Sequence, residues 1–267
     1  GNSELLTENS IGLLSRSGVN YTLNDYQIKI GEYAKGSVGI VHNNSAMSTL
    51  TLDGTALTPS LINIKGSEKG INNIGIYLTG SNSRIVTTQN TKINIEDSRV
   101  ATGILSTDSS KIENNGVINI TETLPGKNQA VKAIVVARGV GSTGGTVTNK
   151  GNITLVGGVY DDGTNKYGSV GLVAQDNGSI TSTIGTINVS VYGVESVGLF
   201  AQNGTLDLQK ANITTTGGAF NTFSTGTTGI IKLGLDSVLD TGNKSLAFYT
   251  DNGGKIEFTG PLAGVTG

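Results

Sequence analysis

The chain contains no cysteine, so neither a disulfide framework nor a thiolate metal site is open to it. It has one histidine, His42, which excludes metal sites built from several imidazoles. Charged residues make up 14% of the sequence, against about a quarter in an average domain, and they nearly cancel to a net charge of -2. That balance leaves no electrostatic footprint for a phosphate backbone, so nucleic acid is not an expected partner. Long runs of Glu, Lys, Arg, Leu and Ala with the period of an amphipathic helix are missing too. No apolar run approaches the roughly 20 residues that cross a bilayer, so membrane insertion of this segment is not expected. The opening Gly1-Asn2-Ser3-Glu4 does not read as a signal peptide.

What is abundant is glycine, 40 of 267 residues and about twice the usual share, beside 36% apolar residues. This mixture favours turn-rich β structure. Within it one strand-like phrase recurs, for example Ser37-Val38-Gly39-Ile40-Val41, Asn73-Ile74-Gly75-Ile76-Tyr77, Ser169-Val170-Gly171-Leu172-Val173 and Ser196-Val197-Gly198-Leu199-Phe200. Its small central residue moves from Gly12 to Ala247 in eight steps, counting a degenerate copy near Gly218-Ala219-Phe220, a mean period of about 29 residues.

A turn rich in Asn, Asp, Gly or Ser follows each phrase, as in Asp176-Asn177-Gly178-Ser179. These residues tolerate the left-handed backbone of a tight corner. A short strand with one inward aliphatic comes next (Ile85, Ile112, Val147, Ile180, Leu206, Ile256). The third strand alternates aliphatics: Ile62 and Ile64, Ile93 and Ile95, Ile118 and Ile120, Ile153 and Leu155, Ile187 and Val189. Because successive residues on a strand face opposite ways, the interleaved Asn63, Asn94, Asn119, Thr154 and Asn188 should face out. The residue after the phrase's centre (Leu13, Ile40, Ile76, Ile104, Ile134, Leu172, Leu199, Phe248) should be core. Three strands per period predict an all-β, single-stranded right-handed parallel β-helix. One continuous solenoid over residues 1–267 is expected, with about nine coils and protruding loops, a rod on the order of 40 Å long.

Motifs with chemical meaning are few. Gly139-Val140-Gly141-Ser142-Thr143-Gly144 has dinucleotide-binding spacing, but Gly145-Thr146-Val147-Thr148 follows it, with no helix to hold a pyrophosphate. His42 could act as a base only if a nucleophile and a carboxylate converged on it, and its place at a strand end reads as structural or solvated. A glycan-cleaving β-helix needs carboxylates gathered on one outer face; Glu96, Asp97 and Arg99, then Asp108, Lys111 and Glu113, are the candidates. Asp161 and Asp162 offer two carboxylates, too few for a firm calcium loop, and read as turn chemistry. No cofactor and no metal are expected.

Loops leave the rod where the period stretches: Asp53 to Ser60, Thr121 to Gln129, Arg138 to Gly145 and Gly157 to Gly168. The last carries Tyr160, Asp161, Asp162, Lys166 and Tyr167, an aromatic and polar mixture suited to a binding surface. A further apolar column, two residues past the phrase's centre (Leu14, Val41, Tyr77, Leu105, Val135, Val173, Phe200, Tyr249), should point away from the bore and either be covered, the favoured reading, or form an exposed stripe that marks an interface.

On the Ser-Val-Gly-Leu-Phe-Ala phrase at 196–201, the Asp-Asn-Gly-Ser-Ile phrase at 176–180 and Gly185-Thr186-Ile187-Asn188-Val189, the chain resembles the passenger regions of type Va autotransporter adhesins of anaerobic Gram-negative bacteria. The resemblance covers the whole chain as a style of repeat. It implies a piece of a much larger secreted passenger, displayed as a monomeric rod at the cell surface outside the outer membrane. The implied role is non-catalytic adhesion to a host or bacterial surface protein or glycan. A polysaccharide-degrading β-helix enzyme and a pure spacer are the alternatives.

Overall fold

The computed structural model describes residues 2–5, 8–16, 18–65, 71–123, 130–136, 144–234, 236–260 and 264–266. Among these residues there is no helix. The chain winds as a right-handed parallel β-helix with three parallel sheets of nine, nine and ten strands, each coil adding one strand to each sheet. The first sheet holds the recurring phrases, the second the strands with one central aliphatic, and the third the Ile-x-Ile strands. In the third sheet Ile62 lies beside Ile93, Ile93 beside Ile118, Ile118 beside Ile153 and Ile153 beside Ile187. Identical positions of successive coils therefore stack in register, as the repeat predicts.

The core follows from that register. Ile40, Ile76, Ile104, Ile134, Leu172 and Leu199 are fully buried in the first sheet, and Ile85, Val147, Ile180 and Leu206 in the second. With the third-sheet aliphatics they form one continuous hydrophobic column. Each such side chain contributes about 1.5–3 kcal/mol on burial. The alternating third-sheet amides face out, as expected, and join coil to coil: Asn94 Nδ2 donates to Asn63 Oδ1 at 3.1 Å, and Asn119 Nδ2 to Asn94 Oδ1 at 3.3 Å.

The phrase's glycine has a steric cause. Pairing in the first sheet skips it, running Ile74 with Thr102 and then Ile76 with Ile104. Both the glycine and the aliphatic after it turn inward. A Cβ on Gly75 would lie 2.6 Å from the Gly103 carbonyl oxygen of the next coil, closer than real Cβ atoms come. The phrase's leading serine has a cause too. Ser169 Oγ accepts from the Val131 amide one coil below, and Ser196 Oγ accepts from the Ser169 amide, both at 3.2 Å. Asn and Asp occupy the left-handed corner positions, with φ of 50° at Asp176, 68° at Asn177 and 51° at Asn203.

Three expectations need correction. The degenerate phrase is centred on Asn221, because Phe220 pairs with Val197 and Thr222 with Leu199. Asn221 is fully buried where glycine usually sits, accepting from Thr215 Oγ1 and donating to the Asp240 carbonyl at 3.2 Å. The core position itself is filled by Thr222, whose hydroxyl donates to the Ala247 carbonyl at 2.8 Å. Phe248 is 40% exposed, since it lies on the last strand of its sheet and no further described coil covers it. The outward apolar column is covered only in places. Val41 and Val173 are buried, Tyr77, Leu105 and Phe200 half-buried, and Leu14 and Tyr249 exposed, while the Val135 side chain lies outside the described residues. Around Val173 this column joins Val170, Val197, Phe200, Phe220 and Phe223 in a second, external cluster.

The second sheet also carries an internal polar ladder. Thr87 Oγ1 donates to Asn114 Oδ1 at 2.8 Å, Asn114 Nδ2 to Asn149 Oδ1 at 2.8 Å, and Asn149 Nδ2 to Ser182 Oγ at 3.3 Å. All four are buried. Position in the stack should set the cost of a substitution. Leu172→Ala in the middle of the rod is expected to lose about 2–5 kcal/mol. Phe248→Ala on the last strand should lose distinctly less, as urea unfolding of the two variants would register.

Candidate functional site

The stretched period at 157–168 leaves the rod at the corner between the third and first sheets as an antiparallel hairpin of strands Val159–Asp161 and Lys166–Gly168. Tyr160 pairs with Tyr167 and Asp161 with Lys166. The tyrosine rings stack, with centroids 6.1 Å apart and planes inclined by 19°. Lys166 Nζ stands 3.7 Å from Asp161 Oδ2, an exposed pair of small energetic value. The five residues predicted from sequence are therefore brought together, but in unequal roles. Asp162 is occupied by the turn: its Oδ1 accepts from the Thr164 and Asn165 amides at 2.9 and 2.7 Å. The Asn165 amide, then that of Thr164, holds the Asp162 carboxyl below its usual range. Asp161 Oδ1 likewise accepts from the Gly163 amide at 2.9 Å. Both carboxylates thus serve the turn, in keeping with the turn reading.

Three further residues fix the hairpin, and sequence reasoning gave none of them this role. Arg99, on the same corner two coils earlier, places its guanidinium carbon 5.4 Å from the Tyr160 ring centre, a cation–π contact. Tyr192, one coil later, lies across the hairpin base so closely that a Cβ on Gly158 would fall 2.1 Å from its ring. Its hydroxyl donates to Glu122 Oε1 at 3.1 Å, two coils below. Burial first, then the neighbouring Glu122 charge, pushes the Tyr192 phenol up to about 12. Beneath the hairpin the Gly158 carbonyl accepts from the amides of Ala130 and Ser169 and from the Ser169 hydroxyl at 2.7 Å. The hairpin is thus a clamped element whose tip presents Tyr167, 40% exposed, with Asp161 and Lys166. Stacking on a ring face and hydrogen bonding at its edge are what such a tip can do chemically.

The other candidates are dispersed. Glu96 ends a third-sheet strand beside Lys65 and Thr121. Asp97 and Arg99 belong to the corner that follows, where Asp97 Oδ1 accepts from the Thr123 amide at 3.0 Å. Asp108 sits at the corner after the first sheet and accepts from Thr79 Oγ1 at 2.5 Å. Lys111 and Glu113 lie on the outside of the second sheet. The candidate carboxylates of a glycan-cleaving site therefore stand on different faces of the rod. The loop at 53–60 is closed by Thr55 and Thr58 and tied to Asp25 through Thr58 Oγ1 at 2.7 Å. The loops at 121–129 and 138–145 lie largely outside the described residues, as does most of the 139–144 glycine motif, after which comes the strand Thr146–Asn149.

His42 faces the bore and is fully buried. Its Nδ1 stands 2.7 Å from Ser15 Oγ, and Asn44 and Ser48 surround the ring, the latter through Oγ at 3.4 Å from Nε2. A serine does reach the imidazole, yet among the described residues its side-chain hydrogen-bond partners are Ser15, Asn44 and Ser48, with no carboxylate. The cluster reads as a satisfied polar patch in the core. Comparison with family models, curated proteins and solved structures finds no match to this chain.

Burial lowers the His42 pKa, only partly offset by the hydrogen bond at Ser48, so the folded chain holds a neutral imidazole. The unfolded chain takes up that proton below about pH 6.5. The stability linked to His42 is therefore fully present above about pH 6.5 and is lost as pH falls below it. Urea unfolding between about pH 7.5 and about pH 5 should show this loss in the native protein and a flatter profile in His42→Gln.

Proposed function

We propose that this chain is a segment of a non-catalytic adhesive rod, of the kind that autotransporter passengers display outside the outer membrane. On this reading it binds a glycan or protein receptor on a host or bacterial surface through the hairpin at 157–168. The observation that carries the reading is the stacked Tyr160–Tyr167 pair, held out from the corner and braced by Arg99. A spacer has no use for an aromatic pair on a clamped projection, because the coils stack without it. Aromatic residues and arginine are also the side chains that most often dominate binding energy.

The scatter of the candidate carboxylates over the third sheet, two corners and the second sheet favours binding over glycan cleavage. Retaining and inverting glycosidases both need two carboxyl groups facing one bond. Here Glu113 is tied to Arg84 and Lys150, and Asp108 to Thr79. The parallel helix supports the same reading mechanically, since a rod in which each coil meets only its neighbours can extend and carry projections at chosen levels.

The test is a glycan array and a cell-surface binding assay with the intact chain and with Tyr160→Ala/Tyr167→Ala. Binding weakened by about thirtyfold or more, with circular dichroism and unfolding unchanged, is the expected result. Undiminished binding by the double variant would remove the hairpin from the adhesive role.

A further inference from the structure

On the rod's second sheet, away from the hairpin corner, the outer surface carries a groove of about 410 Å³ across four successive coils. One outward column runs along it, Thr49, Arg84, Lys111 and Thr146, each the direct neighbour of the next. Beside it run Val86, Glu113 and Thr148. The wall toward the preceding corner is formed by Ser81, Asn82 and Met47, the last 84% exposed.

The charge arrangement in this groove is unbalanced. Among the described residues Glu113 is the one carboxylate lining it, and both of its oxygens are taken: Oε2 by Arg84 Nη2 at 3.0 Å, and Oε1 by Lys150 Nζ at 2.8 Å. The two cations, Lys150 foremost, hold that carboxyl below its usual range, so it stays ionised and engaged. Lys111 has no ion-pair partner among the described residues and rises directly beside Arg84 from the adjacent strand. Like charges directly opposite on neighbouring strands destabilise a sheet, and strands about 4.8 Å apart keep the two side chains close. Two cations and one carboxylate line the groove, and Lys150 reaches that carboxylate from beside it, so positive charge is concentrated here on a chain whose net charge is -2. An anionic group seated between Arg84 and Lys111 would relieve the repulsion and use guanidinium donors that Glu113 leaves free.

The lining also indicates what carries the anion. Hydroxyls and an amide (Thr49, Thr146, Thr148 and Asn82) supply neutral donors and acceptors, and the Met47 thioether chain adds an apolar surface. Among the described residues no aromatic ring lines the groove, so bases of a nucleic acid have nothing there to stack on. All four strands beneath it are paired on both sides, so an extended peptide finds no free strand edge. We infer that this groove binds an acidic polysaccharide, a chain of sugars bearing carboxylate or sulfate groups, with its anions at Arg84 and Lys111 and its hydroxyls on the flanking threonines.

Calorimetric titration of the intact chain with oligogalacturonate and with a heparin-derived oligosaccharide tests both anion types, with dextran and a short oligonucleotide as neutral and phosphate-bearing probes. At least one acidic sugar should bind, more weakly as salt rises. Arg84→Gln/Lys111→Gln should weaken it at least about tenfold, whereas Lys255→Gln, in the same column at the far end, should not. Lys111→Gln alone should lose affinity while unfolding at the same or higher urea concentration, which a merely structural lysine would not do. The Tyr160→Ala/Tyr167→Ala variant should keep this binding, so the groove and the hairpin fail or stand separately. The inference is overturned if neither acidic sugar binds, if dextran or the oligonucleotide binds as tightly, if Arg84→Gln/Lys111→Gln binds undiminished, or if the tyrosine variant abolishes binding.

Discussion

Everything in this molecule depends on one lateral constraint: a side chain pointing into the bore must land on its counterpart in the next coil, one strand spacing away. Ile62, Ile93, Ile118, Ile153 and Ile187 satisfy it in the third sheet, and Ile76, Ile104, Ile134, Leu172 and Leu199 in the first. Because contact is made only between neighbouring coils, an isolated coil could not bury its apolar face, and stability accumulates along the stack. The same constraint governs glycine. Where two backbones approach as closely as Gly75 and Gly103, a Cβ in an otherwise ordinary conformation has no room.

Polar groups obey the rule as strictly as apolar ones. Thr87, Asn114, Asn149 and Ser182 occupy bore positions that Leu52 and Leu208 fill in coils on either side, and each amide or hydroxyl finds its partner in the adjacent coil. A buried amide is costly alone and acceptable when stacked on another, since the neighbour supplies the hydrogen bond that water would have made. Asn221 solves the same problem differently, reaching a threonine hydroxyl and the Ile213 and Asp240 carbonyls where the repeat would place glycine. His42 is a third instance, held among hydroxyls and an amide at a level where other coils have Leu78 or Ala174.

With the coils occupied by stacking, recognition falls to what stands outside them. Two surfaces depart from the surrounding outer columns: the hairpin with its paired tyrosines, and the groove in which two cations stand side by side. They lie on different parts of the rod's circumference, the hairpin at the corner between the third and first sheets and the groove on the second sheet. Neither departure aids packing. The hairpin adds no coil, and Arg84 beside Lys111 opposes the sheet that carries them.

The order of residues by itself determined the coil. Period, inward aliphatics, outward asparagines and corner Asn and Asp could all be read, because a strand's two-residue alternation and a turn's backbone preferences are local properties. It also marked the hairpin loop through its extra length and placed Tyr160, Asp161, Asp162, Lys166 and Tyr167 there. Only the tertiary structure decided that Arg99, Glu122 and Tyr192 hold the projection, and that Arg84 and Lys150 meet Glu113 on one face beside Lys111. Those partners are separated by a coil or more of chain. Which of them become neighbours depends on how many residues each corner and loop spends before the next strand begins, a sum of irregular lengths that no local preference encodes.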